Sequence, residues 1–507
     1  MKQFFWGVFI CLILFLILPG LVLSGRTENV ILADSKKTAI SYSPVSQDDF
    51  ERLKKTFGVY VTSKNYNKII NGRGTGLRPP TEEEWNSIKY KIKGITSVKY
   101  SPKYSAPLPA AYDNTQEIWF PPIGDQGSEG SCSSWSIAYY CKTFQEAKEH
   151  NWNLKNALPS GVYQGSFPDD YADKIFRPDF LYHLVNKNND VGSMFWYPIR
   201  LMYGIGAATF KTMPYKDYDH TSLPVETAWR EAALYRNETD YFIIDSQTDT
   251  NFVNLKTLLN SNIIAAIAID AYNYESLTAD SELWTLDNYN FPLDYNHANT
   301  IVGYDDNFGP YLEEGDTRYG AFKIVNSWGV GWTGDRNSDG CYWISYNALR
   351  KTVPFIQYFI DKTAYKPEIL AGFSITHNSR IECDITIGLG NPENSIITKK
   401  LTDYLYLGDL SFDNYKFLVD ITEFKNDISN NTVFLQIYDK DLTSNTGVIH
   451  GFELEFFNDY SIFQSADTIF KSPQVQVKTI NDSSIVLYLT ANDKLNRDTF
   501  PLQTPVI

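Results

Sequence analysis

Three short, remote stretches constrain the fold of this chain more than any other feature: Gln126-Gly127-Ser128-Glu129-Gly130-Ser131-Cys132, Asn296-His297-Ala298 and Asn326-Ser327-Trp328-Gly329. A thiol needs a base to become a strong nucleophile, and that base needs a partner to orient it. The charge that builds on an attacked carbonyl oxygen needs hydrogen-bond donors. Cys132, His297, Asn326 and Gln126 supply these four parts, provided the fold brings the three stretches into one cleft. Taken singly, each has a plainer reading: a buried thiol, a scaffold imidazole and two turn amides. The joint pattern carries the expectation.

Cys132 stands where Gly130-Ser131 gives way to a helical pattern that puts Ile137, Ala138, Cys141 and Phe144 on one face. A helix N-terminus and a neighbouring imidazolium both favour the thiolate. His297 is the expected imidazole and the later proton donor to the leaving group. The side-chain oxygen of Asn326 is expected to accept the second ring N–H, with Trp328 shielding that bond from water. The backbone N–H of Cys132 and the side-chain amide of Gln126 are the expected oxyanion donors.

These residues resemble the papain-like cysteine peptidases, the family of papain and the cathepsins, over a stretch from about Leu108 to Phe355. Gln126, Cys132, His297 and Asn326 match that family's glutamine, cysteine, histidine and asparagine. The run from Asn326 to Trp332 is similar to its Asn-Ser-Trp-Gly-x-Gly-Trp segment, and His297-Ala-Asn-Thr-Ile-Val-Gly-Tyr to its histidine region. Phe180-Leu-Tyr-His-Leu, followed by Gly192-Ser193, is similar to the part that borders the substrate groove. The resemblance implies hydrolysis of peptide bonds through an acyl-thioester on Cys132, with His297 as general acid and base. It also implies an α+β catalytic domain of two lobes, one helical and one β-barrel-like. There are departures. Glu129 replaces a cysteine that is usually in a disulfide, and Ser133 replaces an aromatic residue. The steps from Cys132 to His297 (165 positions) and to Asn326 (194) exceed the roughly 130–150 typical of the plant and lysosomal enzymes. These departures bear on substrate preference more than on the reaction.

A chain of 507 residues is too long for one core. Residues 1–24 read as a signal peptide: Lys2, an apolar run from Phe4 to Leu18, then Pro19-Gly20. An uncleaved anchor over residues 4–23 is the rival, because that run nears the roughly 20 residues that span a bilayer. An exported protein follows from the first reading and a membrane-anchored one from the second. Residues 25–106 read as polar and irregular apart from helices at Gln47–Phe57 and Thr81–Ile92, the second with a capping box of Thr81 and Glu84. This segment is either a propeptide or an extension packed on the enzyme. Residues 107–360 form the expected peptidase domain.

From 366 to 507, alternating strands at Glu382–Leu389, Phe434–Tyr438, Phe452–Phe456, Val475–Thr479 and Ile485–Leu489 predict an all-β sandwich. It is similar to the P-domain of subtilisin-like proprotein convertases in Ile375–Asp384, Leu418–Phe424 and Val433–Leu454. A surface, glycan or protein ligand is expected for it. The net charge of −15 argues against nucleic acid and anionic membranes as partners. No cofactor is implied. Asp335, Asn337 and Asp339 match half of a calcium loop, but the twelfth position is Tyr346 rather than Glu; a polar hairpin is the preferred reading. Two other functions use the same parts: a transglutaminase-like thiol acyltransferase, which the Asn-Ser-Trp-Gly run disfavours, and a non-catalytic surface-binding protein on a protease scaffold.

Overall fold

The computed structural model describes residues 29–33, 38–61, 64–100, 107–158, 167–213, 219–277, 282–332 and 339–490. The expected targeting segment, residues 1–24, lies outside them, as do Asp335 and Asn337 of the calcium-loop candidate. Among the described residues no helix is long and apolar enough to cross a membrane. The remaining calcium-loop residue, Asp339, accepts from Cys341 N (3.0 Å) and sits 3.2 Å from Lys323 Nζ.

The fold is mixed α and β, with one large sheet at its centre. Its strands are β1 (Asn29–Ala33), β2 (Thr38–Pro44), β3 (Lys93–Tyr100), β4 (Phe242–Asp245), β5 (Ala265–Ile269), β6 (His297–Asp305), β7 (Ala321–Val325), β8 (Cys341–Ser345) and β9 (Phe355–Tyr358). They lie side by side in the order β1-β2-β3-β4-β9-β5-β6-β7-β8. The short strand Ala111–Asp113 also pairs with β6, and Leu283–Trp284 with β8. Every residue of β5 and β7 is buried, including Lys323 of β7, whose ammonium pairs with Asp113 at 3.0 Å.

The expectation that residues 25–106 are irregular outside two helices is overturned. β1, β2 and β3 extend the central sheet from its edge. The alternation is hidden because the β2–β3 register shifts between Ser41 and Tyr42, leaving Thr96 as an extra residue on β3. Ile95 and Val98 are therefore both buried although three positions apart. The two helices do form, as α1 (Gln47–Phe57) and a shorter α2 (Glu82–Ile88). Ser46 caps α1, and Thr81 with Glu84 makes the capping box of α2. Phe50 and Trp85 meet edge to face at 5.5 Å, and Trp85 meets Trp196 of the central body at 5.3 Å. Burying each such ring stabilises the docking by about 2–3 kcal/mol.

Glu84 does a second job. Its two oxygens take both ends of the Arg78 guanidinium, at 2.8 and 2.9 Å. Burial pushes its carboxyl up, but the hydrogen bonds and charge of Arg78, with Lys187 beyond, outweigh that and hold it at about 2. Glu84→Gln keeps the shape and strands a buried guanidinium. It is expected to weaken docking of the N-terminal region by about 3 kcal/mol, read as faster amide exchange across α2. Unchanged exchange would contradict this anchor.

A long helix, α3, starts at Cys132 and runs through Cys132–Ser134, Trp135–Lys142 and Thr143–Glu149, with a π-helical middle section. Cys141 is buried on it, as its spacing predicts. Further helices lie at Pro178–Val185 and Trp196–Gly204.

From Ile369 onward the chain is all β, in two antiparallel sheets. One holds Ile369–His377, Phe412–Asp420, Val448–Phe456, Thr468–Lys471 and Val477–Lys478. The other holds Cys383–Asn391, Asn394–Lys400, Thr432–Asp439 and Ser483–Thr490. Four of these nine strands (Ile369–His377, Asn394–Lys400, Phe412–Asp420 and Thr468–Lys471) escaped the sequence reading. The unit docks on the central body through Arg230 to Glu455 (2.6 and 2.8 Å), Arg236 to Asp420 (2.6 Å) and Trp229 against Phe417 (5.1 Å). The four described cysteines, Cys132, Cys141, Cys341 and Cys383, are all buried.

Candidate active site

The helix-starting Cys132 and the strand-starting His297 lie on elements that pack directly, α3 against β6. The nearby backbone N–H groups of Ala298, Ser133 and Leu77 pull the Cys132 thiol towards ionisation, which puts the sulfur close to the residue that follows His297. His297 Nε2 donates to Asn326 Oδ1 at 2.8 Å. That tautomer leaves Nδ1 with its lone pair, and Nδ1 is buried without a partner. Asn326 is held by two more donors to the same oxygen, Asn299 Nδ2 and its neighbour Ser327 N, both at 2.8 Å. Trp328 is buried, with its rings 4.8 Å from the imidazole. The three remote stretches therefore meet.

Gln126 lies in the same place but is occupied. Its Oε1 accepts from Ser327 Oγ (2.6 Å), and its Nε2 donates to the carbonyls of Glu129 (2.8 Å) and Thr75 (3.3 Å). Thr75 belongs to the N-terminal region, which runs straight across the site. Gly74 N donates to Gly127 O (2.7 Å), and Gly76 N and Leu77 N donate to Asn296 O (3.0 and 2.9 Å). Arg78 N donates to Ser193 O (3.1 Å), and Ser193 N to Gly76 O (2.8 Å). Trp328 Nε1 donates to Gly74 O at 2.9 Å, and Arg73 pairs with Asp125 at 2.8 Å. Gly192 and Ser193 thus meet the same segment, and Ser193 Oγ also meets Ser133 Oγ at 2.5 Å. Cys132 and His297 are both 0% exposed beneath this cover.

The approach is so close that it needs glycine. Gly76 has φ +114°, and a Cβ there would fall 2.0 Å from Gly130 O. A Cβ on Gly192, at φ +92°, would fall 2.0 Å from Gly76 O.

Burial sets the protonation of the pair. It pushes the Cys132 thiol up to about 12, against the pull of the surrounding N–H groups. It takes His297 down to about 4, although the bond to Asn326 raises it. Thiol and imidazole are thus both neutral under the cover at ordinary pH. A depressed histidine stabilises the covered state fully above its free value near 6.5, and that contribution is lost as pH falls through about 4. A raised cysteine contributes fully below its free value near 9, and its share is lost as pH rises towards about 12. The cover is expected to hold best between about pH 6.5 and 9 and to loosen on acidification, while the Glu84 anchor stays ionised. Amide exchange over residues 73–78, corrected for its intrinsic pH dependence, reads this. An opening free energy that is flat from pH 7 to 4 would contradict it.

Sequence reasoning missed several groups here. Asn299 lies two residues after His297 on one strand, hence on the same face, and that period was a usable signal. Tyr274 and Tyr342, whose hydroxyls both donate to Asn299 Oδ1, had no signal in a chain with 35 tyrosines. Nothing in the glycine-bearing run Gly72–Gly76 distinguishes it from an ordinary turn.

No protein-family model and no curated protein matches this chain. Solved structures similar to it include cysteine proteases. They include xylellain from Xylella fastidiosa, at 20% identity over 52% of this chain and 90% of that one, with a TM-score of 0.36. Recombinant stem bromelain precursor is 13% identical over 62% of this chain and 86% of that one, at 0.36. The cysteine protease and lectin-like domains of Cwp84, a surface layer associated protein of Clostridium difficile, are 15% identical over 90% of this chain and 99% of that one, at 0.38. Likeness at this level carries no inference about activity.

Proposed function

We propose that this chain is a papain-type thiol peptidase held latent by its own N-terminal region. The observation that carries the reading is the 2.8 Å bond from His297 Nε2 to Asn326 Oδ1 beside a cysteine at a helix start, with Nδ1 left unpaired. Once uncovered, Cys132 passes its proton to His297 Nδ1, and the thiolate attacks a peptide carbonyl carbon. The carbonyl oxygen takes up the charge between the backbone N–H of Cys132 and the Gln126 amide. The C–N bond then breaks as His297 returns the proton to the leaving amine. Water hydrolyses the resulting thioester, with His297 taking the water's proton and the thiol re-forming. Asn326 positions the imidazole, and Trp328 keeps water from their bond.

In this reading residues 25–106 are a proregion, and Thr75 presents its carbonyl where a substrate oxyanion would lie. Residues 107–360 are the two-lobed peptidase, and Gly192 and Ser193 border its groove. Residues 366–507 are a sandwich that binds a surface, glycan or protein ligand. The substrates are polypeptides, and the protein acts outside the cytoplasm. The test is covalent labelling by an epoxysuccinyl thiol-protease inhibitor before and after limited proteolysis of the N-terminal region. One adduct is expected, on Cys132, only after the cut. A trimmed protein that stays unlabelled would mean a non-catalytic scaffold. Amine incorporation without peptide cleavage would mean an acyltransferase.

A further inference from the structure

A cavity of about 390 Å³ lies where the three parts of the chain meet. Its walls come from residues 81–91 of the N-terminal region, from Lys187 and Arg200 of the central body, and from residues 380–440 of the C-terminal β unit. Six cations line it, namely Lys91, Lys187, Arg200, Arg380, Lys400 and Lys440, against the acids Glu83, Glu84, Asp384 and Asp403. Two of the acids are committed. Glu84 is bound by Arg78 and lies 3.3 Å from Lys187. Asp384 pairs with Lys440 at 2.7 Å and lies 3.8 Å from Lys400.

Arg200 is different. It is only 7% exposed, yet it makes no ion pair or hydrogen bond among the described residues. Its guanidinium stands 5.9 Å from the Tyr404 ring and faces the cavity. Lys91 likewise has no ion pair, and neither Glu83 nor Asp403 closes on it or on Arg200. Burial and then the Arg200 charge lower the Lys91 pKa, against Asp403 and Asp240, which raise it, so the two cations act on each other in this cavity without an ion pair to either. An unpaired guanidinium on a largely buried side chain, beside a second cation, favours an anion that bridges them.

We propose that this cavity binds a small oxyanion, a phosphate, sulfate or carboxylate group free or carried on a sugar, between Arg200 and Lys91. The planar guanidinium suits two oxygens of such a group, and the ammonium adds a point charge. The volume falls at the small end of ordinary ligand pockets, which fits a group up to about the size of a sugar acid. Lys91 belongs to the N-terminal region and Arg200 to the body, so the bound anion ties one to the other. That clamp rests on the proposed role of residues 25–106 as a cover; the binding does not.

The full-length protein is titrated with inorganic phosphate and with sulfate against chloride at matched ionic strength, following the thermal midpoint. A saturable rise with the oxyanions alone is expected. It should be lost in Arg200→Gln and in Lys91→Gln, and kept in Lys89→Gln, which removes the same charge outside the cavity. Lys91 is partly exposed, so that variant remains informative if Arg200→Gln folds poorly. No oxyanion effect beyond chloride, or a full effect in Lys91→Gln, overturns the site. Glucose 6-phosphate or glucuronate binding more tightly than phosphate assigns the group to a sugar; equal affinity assigns a free oxyanion. Saturating phosphate should also slow iodoacetamide labelling of Cys132 by at least about fivefold. Binding with unchanged labelling overturns the clamp and leaves the binding result standing.

Discussion

Cys132→Ala is expected to abolish peptide hydrolysis by the uncovered enzyme, a loss of about 10⁴-fold or more in kcat/KM, while the fold persists. The size follows from the nature of the step. Without the sulfur no acyl-thioester can form, and His297 and the oxyanion donors have nothing to act on, so only the residual effect of binding remains. The fold should survive for local reasons. Alanine is the best helix former and Cys132 is a helix-starting residue. The substitution removes one atom from a buried site, at a cost of about 1 kcal/mol. A matching far-ultraviolet spectrum and thermal midpoint would show this. Cleavage that persists in the alanine variant, with contaminating protease excluded by inhibitor profile, would refute the assignment of Cys132.

Gly76→Ala is expected to open the site without any proteolysis, raising the iodoacetamide labelling rate of Cys132 in the full-length chain by about 10²-fold or more. Two effects add. The backbone at φ +114° is one that residues with a Cβ rarely adopt, costing on the order of 1–3 kcal/mol. The new Cβ would also stand 2.0 Å from Gly130 O and 2.4 Å from Gly130 C. Both are backbone atoms of the loop that carries Cys132, so no side chain can swing aside. Together these amount to about 3–5 kcal/mol, and a 1.4 kcal/mol change is a tenfold shift in the opening equilibrium. Gly72→Ala is the control. It has φ +77° with nothing within 4 Å, so it carries strain without collision and should change labelling little. Equal labelling in the two variants would mean that the segment Arg73–Arg78 is not what buries the thiol.

Both variants act on a contact that sequence periodicity does not reveal. The four polar parts of the site were legible because each chemical duty demands a residue type, and few types perform it. α2 was legible because its cap is local: Thr81 satisfies a first-turn N–H of a helix beginning one residue later. The C-terminal strands were read where alternation was clean, as in Ser483–Thr490, where buried Leu487 and Leu489 flank exposed Tyr488. They were missed where it failed, as in Ile369–His377, whose first five residues are all buried and lose the polar half of the pattern.

The order of residues along the chain determined which groups are available for chemistry and where helices start, since thiol, imidazole, amide and cap are properties of single residues and near neighbours. Only the tertiary structure decided that the glycine-bearing run Gly72–Gly76 lies against Gly130 and Ser193, that β1 to β3 join the central sheet, and that Arg200 is left facing a cavity without an ion pair among the described residues. Those outcomes depend on which surfaces come within contact after collapse. A backbone approach of 2.0 Å to where a Cβ would stand is a relation between residues more than fifty positions apart, and no local pattern encodes it.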